Sequence, residues 1–111
     1  MVFGKILAKW RLSGALNDIV VAKDYAKKNI YDTADLLLLH SVANLEKLSA
    51  YYNSQTIQNK IDQLRQLLKK EKGKYSERTK SQIESLFESI MTDSEEMLRK
   101  PPITNLRPQY S

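Results

Sequence analysis

The one residue suited to acid–base work near neutral pH is His40, the sole histidine of the chain. A nucleophile–base pair also needs an orienting acid and an oxyanion hole, and the residues around His40 supply neither. His40 sits in a leucine-rich stretch, Leu36-Leu-Leu-Leu39 before it and Val42 after it, and reads as a buried or boundary histidine bonded within the fold. A bundle metal site wants inward Glu and Glu-x-x-His sets. The glutamate near His40 is Glu46, a poor helical match. With no cysteine, disulfides and thiolate metal sites are excluded. Gly4, Gly14 and Gly73 lie too far apart to form a phosphate-cradling loop. The residues argue against an enzyme. No catalytic residue, metal ligand, cofactor or small-molecule substrate is expected.

Charge points elsewhere. The formal net charge is +5, and residues 60–80 account for all of it. Lys60, Arg65, Lys69, Lys70, Lys72, Lys74, Arg78 and Lys80 stand there against Asp62, Glu71 and Glu77. A candidate interaction surface therefore comprises Arg65, Lys69, Lys70, Lys72, Lys74, Arg78 and Lys80. Such a cluster suits an acidic partner: nucleic acid phosphates or an anionic membrane face. Lysines also collect at helix C-termini for dipole and solubility reasons alone. Tyr75 is the one aromatic residue among them, which argues against single-strand stacking.

A second candidate contact is the stripe Phe3, Ile6, Leu7 and Trp10, at i, i+3, i+4 and i+7, with Lys5, Lys9 and Arg11 off it. This is the make-up of an interfacial amphipathic helix. The stripe is only three turns long, and the simpler expectation is a first bundle helix turning its apolar side to the core. The seam Ile57, Ile61, Leu64, Leu68 has heptad spacing and is expected to be intramolecular core rather than a partner-binding edge.

These residues must be carried by helices. All three prolines lie at or beyond position 101, and helical periodicity dominates the chain before them. Segments are expected over about 3–12, 15–28, 32–52, 55–72 and 76–90. The first two merge into one helix if Gly14 is absorbed. Lys27, Lys28 and Asn29 suit a helix C-terminus. Asp32 or Thr33 would cap the third segment. Its stripe would be Ala34, Leu38, Val42, Leu45 and Leu48, widened by Leu36, Leu37 and Leu39 into the most buried helix of the fold. Gly73 would end the fourth, and Ser76 would cap the fifth. Thr92-Asp-Ser-Glu95 fits a capping box, so a short last helix is expected from Asp93 to Arg99.

The fold class expected is all-α: an antiparallel four-helix bundle with a short extra helix at one or both ends and an irregular C-terminal tail. Residues 1–100 would form the single domain, and residues 101–111 an extended or disordered tail. No apolar run approaches the roughly 18 residues of a membrane span, and the N-terminus lacks a secretory h-region. A cytoplasmic location, with membrane association as an option, is the expectation.

From Leu36 onward the pattern resembles a family. A leucine-rich helix ends in Leu45-Glu-Lys-Leu48. Ile57-Gln-Asn-Lys-Ile61-Asp-Gln-Leu64 follows, then the basic hairpin, then Tyr75-Ser-Glu-Arg-Thr-Lys-Ser-Gln-Ile83-Glu-Ser-Leu86. This resembles the small bacteriocin immunity proteins of lactic-acid bacteria. The resemblance implies a cationic four-helix bundle acting inside the producing cell. Such a protein protects a membrane receptor by recognition rather than catalysis, with specificity in residues 92–111. The function expected is docking to a protein or an anionic membrane surface, without catalysis. Two alternatives stand beside it: a nucleic-acid-binding accessory protein of phage or plasmid type using residues 65–80, and a small subunit of a larger assembly.

Overall fold

A computed structural model describes residues 2–70 and 75–100, with the backbone alone for residues 2–5. Four helices follow in order: α1 (Val2–Lys27), α2 (Tyr31–Lys47), α3 (Gln55–Lys70) and α4 (Glu77–Arg99). There is no strand among the described residues. Each helix packs on its two sequence-cyclic neighbours (α1 on α2 and α4, α3 on α2 and α4), while the diagonal pairs stay apart. This is an all-α four-helix bundle.

The expected short end helices are absorbed. Gly14 does not break α1, because a glycine inside a helix costs only about 1 kcal/mol, less than tertiary packing returns. The capping-box residues 92–95 lie inside α4, where the Thr92 hydroxyl donates to the Glu88 carbonyl instead of capping a new start. The tail 101–111 and Gly73 lie outside the described residues.

Local chemistry explains the remaining boundaries. Asn29 adopts the left-handed conformation (φ 65°) and ends α1 in a Schellman turn. The Ile30 N–H donates to Tyr25 O at 2.9 Å and the Asn29 N–H to Ala26 O at 3.0 Å. The Tyr31 hydroxyl donates to Asn29 Oδ1 at 2.7 Å and braces the turn. That turn feeds the chain straight into α2, whose N-cap is Ile30 with no side-chain cap, rather than Asp32 or Thr33. α2 stops at Lys47, short of Tyr52, and residues 48–52 continue as tightened turns. Ser76 does cap α4, accepting from the Thr79 N–H at 3.2 Å.

The buried seams of α1 and α2 interleave small residues with large ones. α1 buries Ala8, Leu12, Ala15, Leu16, Ile19 and Ala22. α2 buries Ala34, Leu38, Ser41 and Leu45, and Leu48, just after it, is buried as well. Ser41 replaces the expected Val42 on that face, and Leu36 and Leu39 are exposed. Alanine and serine let the two backbones approach closely, close enough for the Ser41 hydroxyl to donate across to the Ala15 carbonyl at 3.0 Å. Bulkier side chains come from the other pair: Ile57, Ile61, Leu64 and Leu68 of α3, and Ile83, Phe87 and Ile90 of α4.

One polar tie spans each of the four adjacent interfaces. Asp18–His40 joins α1 to α2 at 2.7 Å, and Asp35–Arg65 joins α2 to α3 at 2.8 Å. Lys60–Asp93 joins α3 to α4 at 2.5 Å, and Glu88–Lys23 joins α4 to α1 at 2.7 Å. Each is worth little alone. Each helix takes part in two of them, so a one-residue slip of any helix would disturb two, and together they favour this register.

Candidate docking surface

The basic stretch divides between structure and surface. Arg65 lies at the α2–α3 boundary, its side chain only 17% exposed, and donates to Asp35 from Nε at 2.8 Å and from Nη2 at 3.4 Å. It is a bundle tie and not part of an open patch. Lys60 likewise donates to Asp93 and to Ser89 Oγ. Lys69 and Lys70, at the end of α3, and Arg78 and Lys80, at the start of α4, are exposed. None of the four forms an ion pair among the described residues. Lys72 and Lys74 lie outside the described residues.

The structure adds to this end what sequence proximity could not show. The turn after α1 brings Lys27 and Lys28 alongside. Lys27 and Lys80 line one open cleft of about 240 Å³ with Tyr31 and Phe87. Asn29 and Lys69 line another of about 690 Å³ with Tyr31 and Asp35. The rings of Tyr31 and Tyr75 meet edge-on, 4.7 Å apart. The Tyr75 hydroxyl also donates to Leu68 O at 2.6 Å, so Tyr75 touches both the end of α3 and the start of α2.

His40 is not where its leucine-rich surroundings suggested. Its side chain is 67% exposed, with Nδ1 2.7 Å from Asp18 Oδ2 and 3.4 Å from Asn44 Nδ2. Histidine and acid are thus paired, across two helices. No hydroxyl or amine nucleophile bonds to the imidazole among the described residues. The nearby Ser41 hydroxyl is buried and committed to the Ala15 carbonyl. No group of three His, Cys, Asp or Glu side chains gathers as a metal site among the described residues.

The N-terminal stripe overturns the simpler expectation. Ile6, Leu7 and Trp10 do not enter the core; they are 45%, 36% and 70% exposed. The side chain of Phe3 lies outside what the structure describes. The core side of α1 is the alanine seam on the opposite face. Lys9, Arg11 and Lys47 are exposed around this end and form no ion pair among the described residues. At 26 residues, α1 outruns the 17 of α2. Counted back from the Asp18–His40 tie along antiparallel helices, Lys47 falls opposite about Arg11, so the stripe sits where α2 gives out. No helix among the described residues is long and apolar enough to cross a membrane.

Compared with protein-family models, with curated proteins and with solved structures, the chain matches none of them.

Proposed function

We propose that this is a non-catalytic docking protein whose contact surface is the outward stripe of α1 and whose target is an anionic membrane surface. One observation carries the reading: α1 turns Ile6, Leu7 and above all Trp10 to solvent, on the side away from its buried face of Ala8, Leu12, Ala15, Leu16, Ile19 and Ala22. Exposed apolar surface of this kind marks interaction sites. Roughly 150 Å² of indole is open to solvent, and its transfer into an interface is worth about 4 kcal/mol at about 25 cal/mol per Å². Ile6 and Leu7 add to this. Lys9, Arg11 and Lys47, without acidic partners among the described residues, can meet lipid headgroups at about 1 kcal/mol each. The docking described for bacteriocin immunity proteins, at a membrane receptor inside the producing cell, agrees with this reading.

The test uses the single tryptophan as its own probe. Vesicles containing anionic lipid should sediment the protein and shift Trp10 emission to the blue, whereas zwitterionic vesicles should do neither. Trp10→Ala should lose most of the binding. No sedimentation with anionic vesicles at low salt would overturn the reading.

A second reading is supported by the convergence of Lys27 and Lys28 with Lys69, Lys70, Arg78 and Lys80 at one end of the bundle. These cations suit the phosphates of nucleic acid. Binding to short duplexes should then weaken steeply with salt and vanish when Lys69, Lys70, Arg78 and Lys80 are all changed to alanine. Duplexes that run unshifted at low salt would remove this reading.

A further inference from the structure

The exposed large apolar side chains are distributed unevenly. Ile6, Leu7, Trp10 and Val20 lie on α1, Ile30 in the turn after it, and Leu36 and Leu39 on α2. Among the described residues α3 and α4 contribute none. The bundle therefore has an apolar-speckled layer, α1–α2, and a polar layer, α3–α4. From this we infer that the protein lies flat on an anionic bilayer through the whole α1–α2 layer, with Leu36 and Leu39 as a second anchor and α3–α4 facing water. The inference rests on the docking reading above and extends it from one helix end to an oriented surface.

Geometry supports two anchors. The Asp18–His40 tie sets the register of the pair. Trp10 lies eight residues before Asp18, and Leu36 lies four before His40 on a helix running the other way. The two anchors are then about 18 Å apart along the bundle axis, at about 1.5 Å per residue. Leu36 is 65% exposed, nearly as open as Trp10, and nothing in the bundle covers it.

Charge favours an anionic surface over an apolar protein face. Lys9, Arg11, Lys27, Lys28 and Lys47 are exposed on this layer and carry no ion pair among the described residues. Asp24, Asp32 and Glu46 are the exposed acids in the same condition. The remaining acids of the layer, Asp18 and Asp35, are held by His40 and Arg65. The layer keeps a cationic surplus around its apolar residues, the combination that holds amphipathic surfaces at lipid headgroups.

The absence of native cysteine makes the orientation measurable. Single-cysteine variants Leu36→Cys and Gln66→Cys, both at exposed positions, carry an environment-sensitive fluorophore, on anionic vesicles with and without nitroxide-labelled lipid. The label at position 36 should be quenched together with Trp10 emission, and the label at 66 should stay unquenched. Separately, Leu36→Ser with Leu39→Ser should weaken vesicle affinity by about tenfold with helix content unchanged. Quenching of Trp10 with a label at 36 that stays in water overturns the inference and leaves docking through α1 intact. Equal quenching at 36 and 66 overturns the orientation as well. Failure of the unlabelled protein to bind vesicles overturns both readings.

Discussion

Replacing Gly14 with alanine should stabilise this protein, although the sequence leaves open whether Gly14 divides the first helix in two. Gly14 lies in the middle of α1, thirteen residues from its end at Lys27. A Cβ built on it meets nothing within 4 Å, and its backbone is helical. The methyl group therefore displaces nothing and demands no change of φ. In an exposed helix interior, alanine is favoured over glycine by about 1 kcal/mol, largely because glycine loses more freedom on folding. For a domain of this size that is about 4–6 °C in Tm. Urea denaturation followed by far-UV circular dichroism measures it, with the slope of the transition unchanged. As a control, Gly14→Pro should cost about 3 kcal/mol or more by breaking the same helix. A destabilised alanine variant, or one with altered helix content, would show that Gly14 is a hinge. The continuous α1 and the register drawn from it would then be wrong.

Other consequences are as concrete. Tyr52 is buried, and its hydroxyl has no hydrogen-bond partner among the described residues, so Tyr52→Phe should be neutral or stabilising by up to about 1 kcal/mol in urea denaturation. Burial also pushes the Tyr52 hydroxyl above the ordinary phenol pKa. The neutral form is therefore the one the fold favours: stability is intact below about pH 10 and falls as pH rises beyond it, and the phenylalanine variant should lose less in alkali. Arg65→Ala should cost about 1–3 kcal/mol by leaving the half-buried Asp35 carboxylate unpaired, a loss that Asp35→Asn in the same chain should partly restore. The hydrogen bond and charge from Lys23 hold the Glu88 carboxyl below the usual carboxylate range, with Lys27 adding to the effect. That contribution is present at neutral pH and lost as pH falls through the carboxylate range, so acidification should narrow the stability gap between wild type and Lys23→Gln.

The parts of the fold legible in the sequence are those where one signal stood without a rival. Ser76 before Glu77 and Asn29 after two lysines each had a single physical reading and end or start a helix as expected, and the heptad seam of α3 faces the core, the favoured of its two readings. The misread parts were places where two rules competed. Thr92-Asp-Ser-Glu95 carries a genuine local capping signal, but packing along α4 outweighs a local preference of about 1 kcal/mol; at Gly14 the sequence left one helix or two open, and α1 is one. The basic stretch was visible as charge. Its division was not, because the acids that remove Lys60 and Arg65 from the surface, Asp93 and Asp35, lie about thirty residues away in sequence. The Asp18 partner of His40 was hidden for the same reason.

The orientation of α1 was the most consequential misreading, and its cause is general. Ranking residues by apolar size selects Phe3, Ile6, Leu7 and Trp10 over Ala8, Leu12, Ala15 and Ile19, since alanine scores weakly. Yet Ala8, Leu12, Ala15, Ile19, Ala22 and Ala26 recur at alternating spacings of four and three, an unbroken heptad seam. The facing seam on α2 repeats the device with Ala34 and Ser41, so small side chains meet small side chains and the helices close up. A larger residue at Ala15 or Ser41 would hold the backbones apart and break the Ser41–Ala15 contact. Leu12, Ile19, Leu38 and Leu45 fill the same two seams between these small positions. With both seams turned to the core, Trp10 and Leu36 are left on the faces turned away from it, and the surface reading of these two residues rests on that placement.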